Sequence, residues 1–174
     1  MEYLSLAQAL GFLSYALGLA AFYQKDDRRL KILMLVFNFN HLIHFLLLGS
    51  VVSAMSAFLS AIRTATAIYI SSIWVAIGFI AISLGTGLWL ADEWWQLFAV
   101  AGTVIGTYSV FMLKGIAMRI GFLIGALCWL TNNILVGSIG GTLLELTLLT
   151  VNSTTIFRLI RDEKRTIREC AQEA

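Results

Sequence analysis

Histidine, asparagine, arginine and glutamate side chains interrupt otherwise apolar stretches of this 174-residue sequence. Such side chains can hydrogen-bond a polar solute, and histidine or glutamate can also carry a proton. Polar groups in hydrocarbon are costly, so they are expected to face the protein interior or a wet cavity. The residues that could do this chemistry are Asn40, His41, His44, Arg63, Trp129, Asn132, Asn133, Glu145 and Asn152.

Counting along the predicted helices at a rise of about 1.5 Å per residue places these side chains in two layers. The middle layer is expected to bind the solute and contains Asn40, His41, Arg63, Trp129 and Asn152. The outer layer is expected to act as a gate or proton site and contains His44, Asn132, Asn133 and Glu145. Arg63 and Glu145 differ in predicted depth by about 12 Å, so a direct ion pair between them needs a favourable helix tilt.

Each of these side chains also has a purely structural interpretation. Asparagine commonly hydrogen-bonds one membrane helix to another, and Arg63 can extend its stem toward cytoplasmic water. His41 and His44 have a spacing found among metal ligands, but two candidates on one helix do not predict a metal site. The predicted helices also lack a nucleophile elbow, a His-Glu-x-x-His motif and an aspartate pair, so neither an enzyme nor a cofactor is predicted.

The elements that position these residues are seven apolar segments. The chain is 59% hydrophobic with a mean hydropathy of +0.86, which is more apolar surface than a soluble domain of this size can bury. A membrane helix needs about 20 mostly apolar residues. Spans are predicted at residues 4–22, 32–48, 51–70, 74–90, 96–113, 118–136 and 141–160. They leave almost no soluble part, so any chemistry is expected in the membrane or in short loops.

The basic residues of the loops fall on one side of this seven-span arrangement. They are Lys25, Arg28, Arg29 and Lys31 after the first span, Lys114 and Arg119 after the fifth, and Arg158, Arg161, Lys164, Arg165 and Arg168 around the end of the seventh. The opposite side receives the acidic Glu2, Asp92 and Glu93. The positive-inside rule therefore predicts an outside N-terminus and a cytoplasmic C-terminus. Membrane lipids are expected partners, and nucleic acid is not, because there is no soluble basic face.

Two parts of the chain resemble each other weakly. Residues 48–51 and 136–139 both end a span with Gly-Ser and begin the next span at once. A second three-span copy with the same orientation requires one connecting span. The predicted fold class is therefore an all-α polytopic membrane protein with two parallel three-helix bundles joined by a linker helix (3-1-3). The predicted domains are a first repeat at 1–70, a linker helix and outer loop at 71–95, a second repeat at 96–160 and a cytoplasmic tail at 161–174.

Several motifs resemble those of the YgjV-like family of bacterial inner-membrane proteins. The resemblance extends from the first span to Arg158. It rests on Ala61-Ile62-Arg63-Thr64, Lys114-Gly115, Gly137-Ser138-Ile139-Gly140-Gly141, Glu145 and Asn152. It implies a multi-pass protein of the bacterial inner membrane, and it implies a location rather than a particular reaction.

The 3-1-3 arrangement is also similar to that of SWEET sugar transporters and PnuC-type vitamin-precursor transporters. In those families, mid-span tryptophan and asparagine residues contact the solute between the two bundles. Trp129 and Asn152 are the matching positions here. The chain departs from the SWEET pattern because it has no proline for the Pro-Gln hinge. The candidates for supplying flexibility instead are Gly11, Gly18, Gly102 and Gly106.

Two functions from different classes fit these patterns. The first is a carrier for a small polar solute, bound near the bilayer midplane between the two three-helix bundles. The alternative is a non-transporting accessory, lipid-organising or sensor module, whose partner would bind in the membrane plane or at the tail. Either protein could form a homo-oligomer.

Overall fold

Seven α-helices follow one another in a computed structural model of the chain, and the all-helical prediction is confirmed. They are α1 (Glu2–Phe22), α2 (Asp27–Leu47), α3 (Val51–Tyr69), α4 (Ile73–Leu90), α5 (Leu97–Met112), α6 (Gly115–Val136) and α7 (Ile139–Glu173), with a 3-10 turn at Trp94–Gln96. The structure describes the backbone of residues 2–173 and the side chains of residues 6–165, 168 and 169. Within that part of the chain, α2 to α7 are long and apolar enough to cross a membrane, and α1 contributes the shorter apolar segment Leu6–Phe22.

The two helices that extend furthest beyond their predicted spans, α2 and α7, do so for local reasons. The second span was predicted to begin at residue 32, but α2 begins at Asp27 because Asp26 caps it. The Asp26 Oδ1 accepts the Arg29 backbone N–H at 2.7 Å, which satisfies one of the free donors of the first turn. The seventh span was predicted to end at residue 160, but α7 continues to Glu173. This extension contains no glycine or proline and is rich in strong helix formers.

Six of the helices form a closed ring, and α4 lies outside it. Around the ring the order is α1, α2, α3, α5, α6 and α7, and α7 packs back against α1. The remaining helix, α4, packs mainly against α3 and α5 and exposes Trp74, Leu88 and Trp89. The ring therefore has an interior to which α1, α2, α3, α5, α6 and α7 all have access, whereas α4 does not.

Large apolar side chains cover the outer surface of the ring. Phe12, Phe39, Phe58, Leu127 and Leu146 are between 41% and 55% exposed. A contiguous apolar surface of this kind is unfavourable in water and is typical of helices that face lipid. The protein thus places apolar residues outward and, as described below, polar residues inward.

The loops gather at two ends of the ring. At the basic end, the Gly115 N–H donates to Asp27 Oδ2 at 3.0 Å, and this bond joins the start of α2 to the start of α6. At the opposite end, the Ser53 hydroxyl donates to Asn132 Oδ1 at 3.1 Å, which joins α3 to α6. Hydrogen bonds between distant parts of the chain therefore hold both ends together.

Candidate functional site

A cavity of about 60 Å³ lies inside the ring, and every ring helix contributes to its wall. The polar lining consists of Asn38, His41, Ser60, Arg63, Trp129, Glu145 and Asn152. The bulky apolar lining consists of Phe22, Met34, Phe37, Phe122 and Leu148. A cavity of this size has room for about four to six water molecules. Only a compact solute fits there without displacement of the helices.

The structure brings together some of the residues predicted from sequence and separates others. Those that line the cavity are His41, Arg63, Trp129, Glu145 and Asn152. Those outside its lining are Asn40, His44, Asn132 and Asn133. Glu145 was predicted to lie in the outer layer, yet it shares the cavity with Arg63 and Asn152. A depth counted along a straight helix omits helix tilt and side-chain length, which explains the difference.

Arg63 carries a buried guanidinium that is only partly hydrogen-bonded. The residue is 4% exposed, and its Nη2 donates to Ser60 Oγ at 3.4 Å. Its Nε and Nη1 have no hydrogen-bond partner. The guanidinium lies directly over Gly106 of α5, where an added Cβ would be 2.8 Å from Nη2. Gly106 therefore makes room for Arg63, whose Nε and Nη1 are buried donors without an acceptor in the protein.

Glu145 supplies the opposite charge. The residue is 5% exposed and lines the cavity from α7. It forms no ion pair with Arg63, since the ion pairs of the described residues are Lys25–Asp162, Arg119–Asp27 and Arg165–Glu169. A buried carboxylate without a cationic partner is unfavourable. A cationic or hydrogen-bond-donating ligand would relieve that cost.

His41 presents one ring nitrogen to the cavity side. Its Nδ1 is 2.8 Å from Ser14 Oγ, and its Nε2 has no partner. Ser14 Oγ also accepts a hydrogen bond from Asn40 Nδ2 at 2.7 Å. The serine hydroxyl then donates to His41 Nδ1, and this assignment leaves the proton of a neutral imidazole on Nε2. His41 Nε2 is thus a buried donor without an acceptor in the protein, on a residue that lines the cavity.

Asn152 and Trp129 complete the polar wall. Asn152 Nδ2 donates to the Arg119 carbonyl at 2.8 Å, which orients the amide, and its Oδ1 has no partner. The Trp129 ring packs against both His41, at a centroid distance of 6.2 Å, and Phe45, at 5.8 Å. It covers Gly102, where an added Cβ would be 2.6 Å from the indole. Trp129 is therefore held as a rigid aromatic face beside the polar groups.

The predicted outer residues form contacts between helices. His44 Nδ1 donates to the Ala7 carbonyl at 2.7 Å, so His44 Nε2 of a neutral ring accepts from the Ser138 hydroxyl at 2.8 Å. Asn132 accepts from Ser53, as described above, and Asn133 is fully buried beside Gly141. These residues join α1, α2, α3 and α6 to the start of α7 at the end of the ring opposite the basic loops.

Asn38 and Ser60 line the cavity, and sequence reasoning missed both. Asn38 is buried and shares a face of α2 with His41, whereas Asn40 faces α1 and bonds the Leu10 carbonyl. Ser60 lies one turn before Arg63 on α3. The available signal was helical spacing, since residues three or four apart share a face. A search for polar residues on the same face as His41 or Arg63 would have found both.

Asn40 provides a test of the structural interpretation of a buried asparagine. We expect Asn40→Ala to lower the free energy of unfolding by about 1 kcal/mol, because it removes hydrogen bonds between two membrane helices. Asn40 lies outside the cavity lining and reaches it only through Ser14 and His41, so any loss of ligand binding in the cavity should be small. Denaturation of the purified protein in detergent measures the first effect. A loss of ligand-binding free energy as large as the loss of unfolding free energy would show that Asn40 belongs to the site.

Comparison with known proteins places the chain in a family. A family model described as a bacterial inner membrane protein, Imp-YgjV, matches residues 5–163. The inner membrane protein YgjV of Escherichia coli (strain K12) is 36% identical over 162 residues, which cover 93% of this chain and 88% of that protein. No solved structure matches the chain, so the likeness to SWEET and PnuC-type transporters stays a prediction. Together with its outward apolar and inward polar residues, these matches show that the chain belongs to the YgjV family of bacterial inner-membrane proteins.

Proposed function

We propose that the protein is a carrier for a small polar solute, which binds in the cavity inside the helix ring. The supporting observation is that the wall of the cavity holds both donors and acceptors without protein partners. The donors include Arg63 Nε and Nη1, and the acceptors include Asn152 Oδ1. A protein that used these residues only to join helices would gain stability by satisfying them. Unsatisfied groups around one cavity are suited to a ligand.

We also propose that the ring consists of two three-helix repeats joined by α4. Two contacts between the repeats support this arrangement. The first helix of one repeat packs against the third helix of the other at both seams, as α1 against α7 and as α5 against α3. Gly49 at φ 74° and Gly137 at φ 77° follow α2 and α6 in the same left-handed conformation. His41 and Trp129 precede these glycines by the same number of residues and face each other in the structure. The solute would then bind where the repeats meet, as in other carriers built from repeats.

The orientation that we propose places the basic end of the ring in the cytoplasm and the N-terminus outside. The supporting observation is the positive-inside rule applied to the loops before α2 and α6 and to the end of α7. Movement of a solute would require the contacts at each end to open in turn. Arg119–Asp27 would open on the cytoplasmic side, and His44–Ser138 on the outer side.

Exchange in proteoliposomes tests transport. Vesicles containing the protein are loaded with a mixture of amino acids, organic acids, nucleosides, vitamins and sugars, and exchange with isotope-labelled counterparts outside is followed by mass spectrometry. We expect one class to exchange in the wild type and in Glu93→Gln, a substitution at an exposed loop position. Asn152→Ala should slow that exchange at least about tenfold, because one lost hydrogen bond in a buried site costs about 1.4 kcal/mol or more.

If vesicles containing well-folded wild-type protein exchanged no class of solute, the carrier proposal would be contradicted. Co-purification of one stoichiometric membrane protein in that case would support the accessory module instead. Equal exchange by wild type and Asn152→Ala would show that the solute passes elsewhere.

A further inference from the structure

Two opposite charges enter the cavity from opposite sides of the ring. Arg63 lies on α3 and Glu145 on α7, and these helices are three positions apart in the ring of six. Both residues are at least nine-tenths buried, and they do not form an ion pair with each other. The cavity therefore presents a positive wall and a negative wall with space between them.

The hydrogen-bonding groups without protein partners are divided in the same way. On the side of α2 and α3, the groups without partners are donors, namely Arg63 Nε and Nη1 and His41 Nε2. On the side of α7, the acceptors are the Glu145 carboxylate and Asn152 Oδ1, which share a helix face because they are seven residues apart. One side of the cavity thus suits an anionic group, and the other suits a cationic one.

A solute with a single charge satisfies only one of the two walls. A simple anion would pair with Arg63 and leave Glu145 without a partner, and a simple cation would do the reverse. Leaving a buried charge unpaired is strongly unfavourable. A neutral solute would neutralise neither charge. A molecule that carries both charges on a short body neutralises both, and the aromatic rings of Phe37, Phe122 and Trp129 can pack on its apolar part.

We propose that the solute is a small zwitterion of the amino-acid type, with its anionic group at Arg63 and its ammonium group at Glu145. This inference rests on the proposed carrier function and names the solute class of that site. The cavity volume of about 60 Å³ favours a compact body such as that of a small amino acid. The donor side would bind a carboxylate, and the acceptor side would bind the N–H groups of the ammonium.

A set of matched probes tests the solute class with the wild-type protein. The twenty common L-amino acids, β-alanine and γ-aminobutyrate are first screened by ligand-induced thermal stabilisation, which reports binding to the folded state. The amino acid that binds best is then compared with its deaminated acid and its decarboxylated amine. We expect the amino acid to bind at least about 30-fold more tightly than its deaminated acid or its decarboxylated amine, because each of these analogues leaves one buried charge unpaired.

Two charge-removing variants assign the ends of the solute. Glu145→Gln should bring the affinities for the amino acid and for its deaminated acid to within a few-fold of each other. Arg63→Gln should do the same for the amino acid and its decarboxylated amine. Glu93→Gln, an exposed position in a loop, is the matched control and should keep the wild-type preference. If either cavity variant fails to fold, the wild-type comparison of the three probes decides the solute class alone.

Other results of these experiments would contradict either the zwitterion proposal alone or the carrier proposal as well. Binding or exchange of sugars, nucleosides or singly charged acids, with no binding of any amino acid, would overturn the zwitterion and leave the carrier function standing. A Glu145→Gln variant that kept the full preference for the amino acid over its acid would also overturn it. No binding and no exchange of any solute would overturn both proposals.

Discussion

Replacing Asp27 with alanine is expected to lower the free energy of unfolding by about 3 kcal/mol, the lower end of the range for breaking a buried ion pair. Asp27 Oδ1 accepts from Arg119 Nη2 at 3.2 Å, and its Oδ2 accepts from the Gly115 N–H at 3.0 Å. The Arg119 side chain is fully buried, and its Nε and Nη1 already lack partners. We place the effect at the lower end because the Asp27 side chain is 32% exposed.

The control for Asp27→Ala is Arg28→Ala, the next residue along α2. Arg28 is exposed, so its removal should change the free energy of unfolding by no more than about 0.5 kcal/mol. Chemical denaturation of both variants in the same detergent gives the comparison. Equal stability of the two variants would show that Arg119 does not depend on Asp27.

The second large effect is expected at Gly140, where α7 crosses α1. An added Cβ at Gly140 would lie 2.6 Å from the carbonyl carbon of Gly11 and 2.8 Å from its Cα. Both atoms belong to the backbone of α1, so no side-chain rotation can relieve the contact. Gly140→Ala should therefore force the two helices apart and lower the free energy of unfolding by about 3 kcal/mol, the upper end of the usual cost of overpacking.

The matched control for Gly140→Ala is Gly85→Ala on α4. A Cβ added at Gly85 meets nothing within 4 Å. There, alanine should leave stability unchanged or raise it by up to about 1 kcal/mol, because alanine has the higher helix propensity. Detergent denaturation of both variants separates close packing from propensity. If Gly140→Ala were as stable as wild type, the close packing of α1 against α7 at Gly11 and Gly140 would be contradicted.

The helices could be predicted from sequence because a chain of this composition has few alternatives. Apolar segments of membrane length must satisfy their backbone hydrogen bonds internally, and helices do so. The predicted helix ends were less accurate. Asp26, for example, caps α2 so that the helix includes charged residues that a hydropathy criterion excludes. The grouping of His41, Arg63, Trp129 and Asn152 was also expected, and these residues do line one cavity.

The direction in which each polar side chain points could not be predicted in the same way. Counting residues gives a depth, but it does not say which face of a helix meets the interior of the ring. Asn38 and Asn40 are nearly at one depth, yet Asn38 lines the cavity and Asn40 bonds α1. Glu145 shows the converse case, because its predicted depth separated it from Arg63 while its helix face brings it to the same cavity. These faces depend on the ring order, which no single-sequence pattern contains.

The most direct test of the central claim is a thermal-stability screen of the purified protein against amino acids, organic acids, nucleosides, vitamins and sugars. Wild type is compared with Trp129→Ala and Asn152→Ala, which alter the cavity, and with Glu93→Gln, an exposed loop position that does not. A ligand that binds only the folded state raises its apparent stability. We predict a ligand that stabilises wild type and Glu93→Gln and has no effect on the two cavity variants. Stabilisation of no variant by any compound, or equal stabilisation of all four proteins, would contradict a solute site inside the ring.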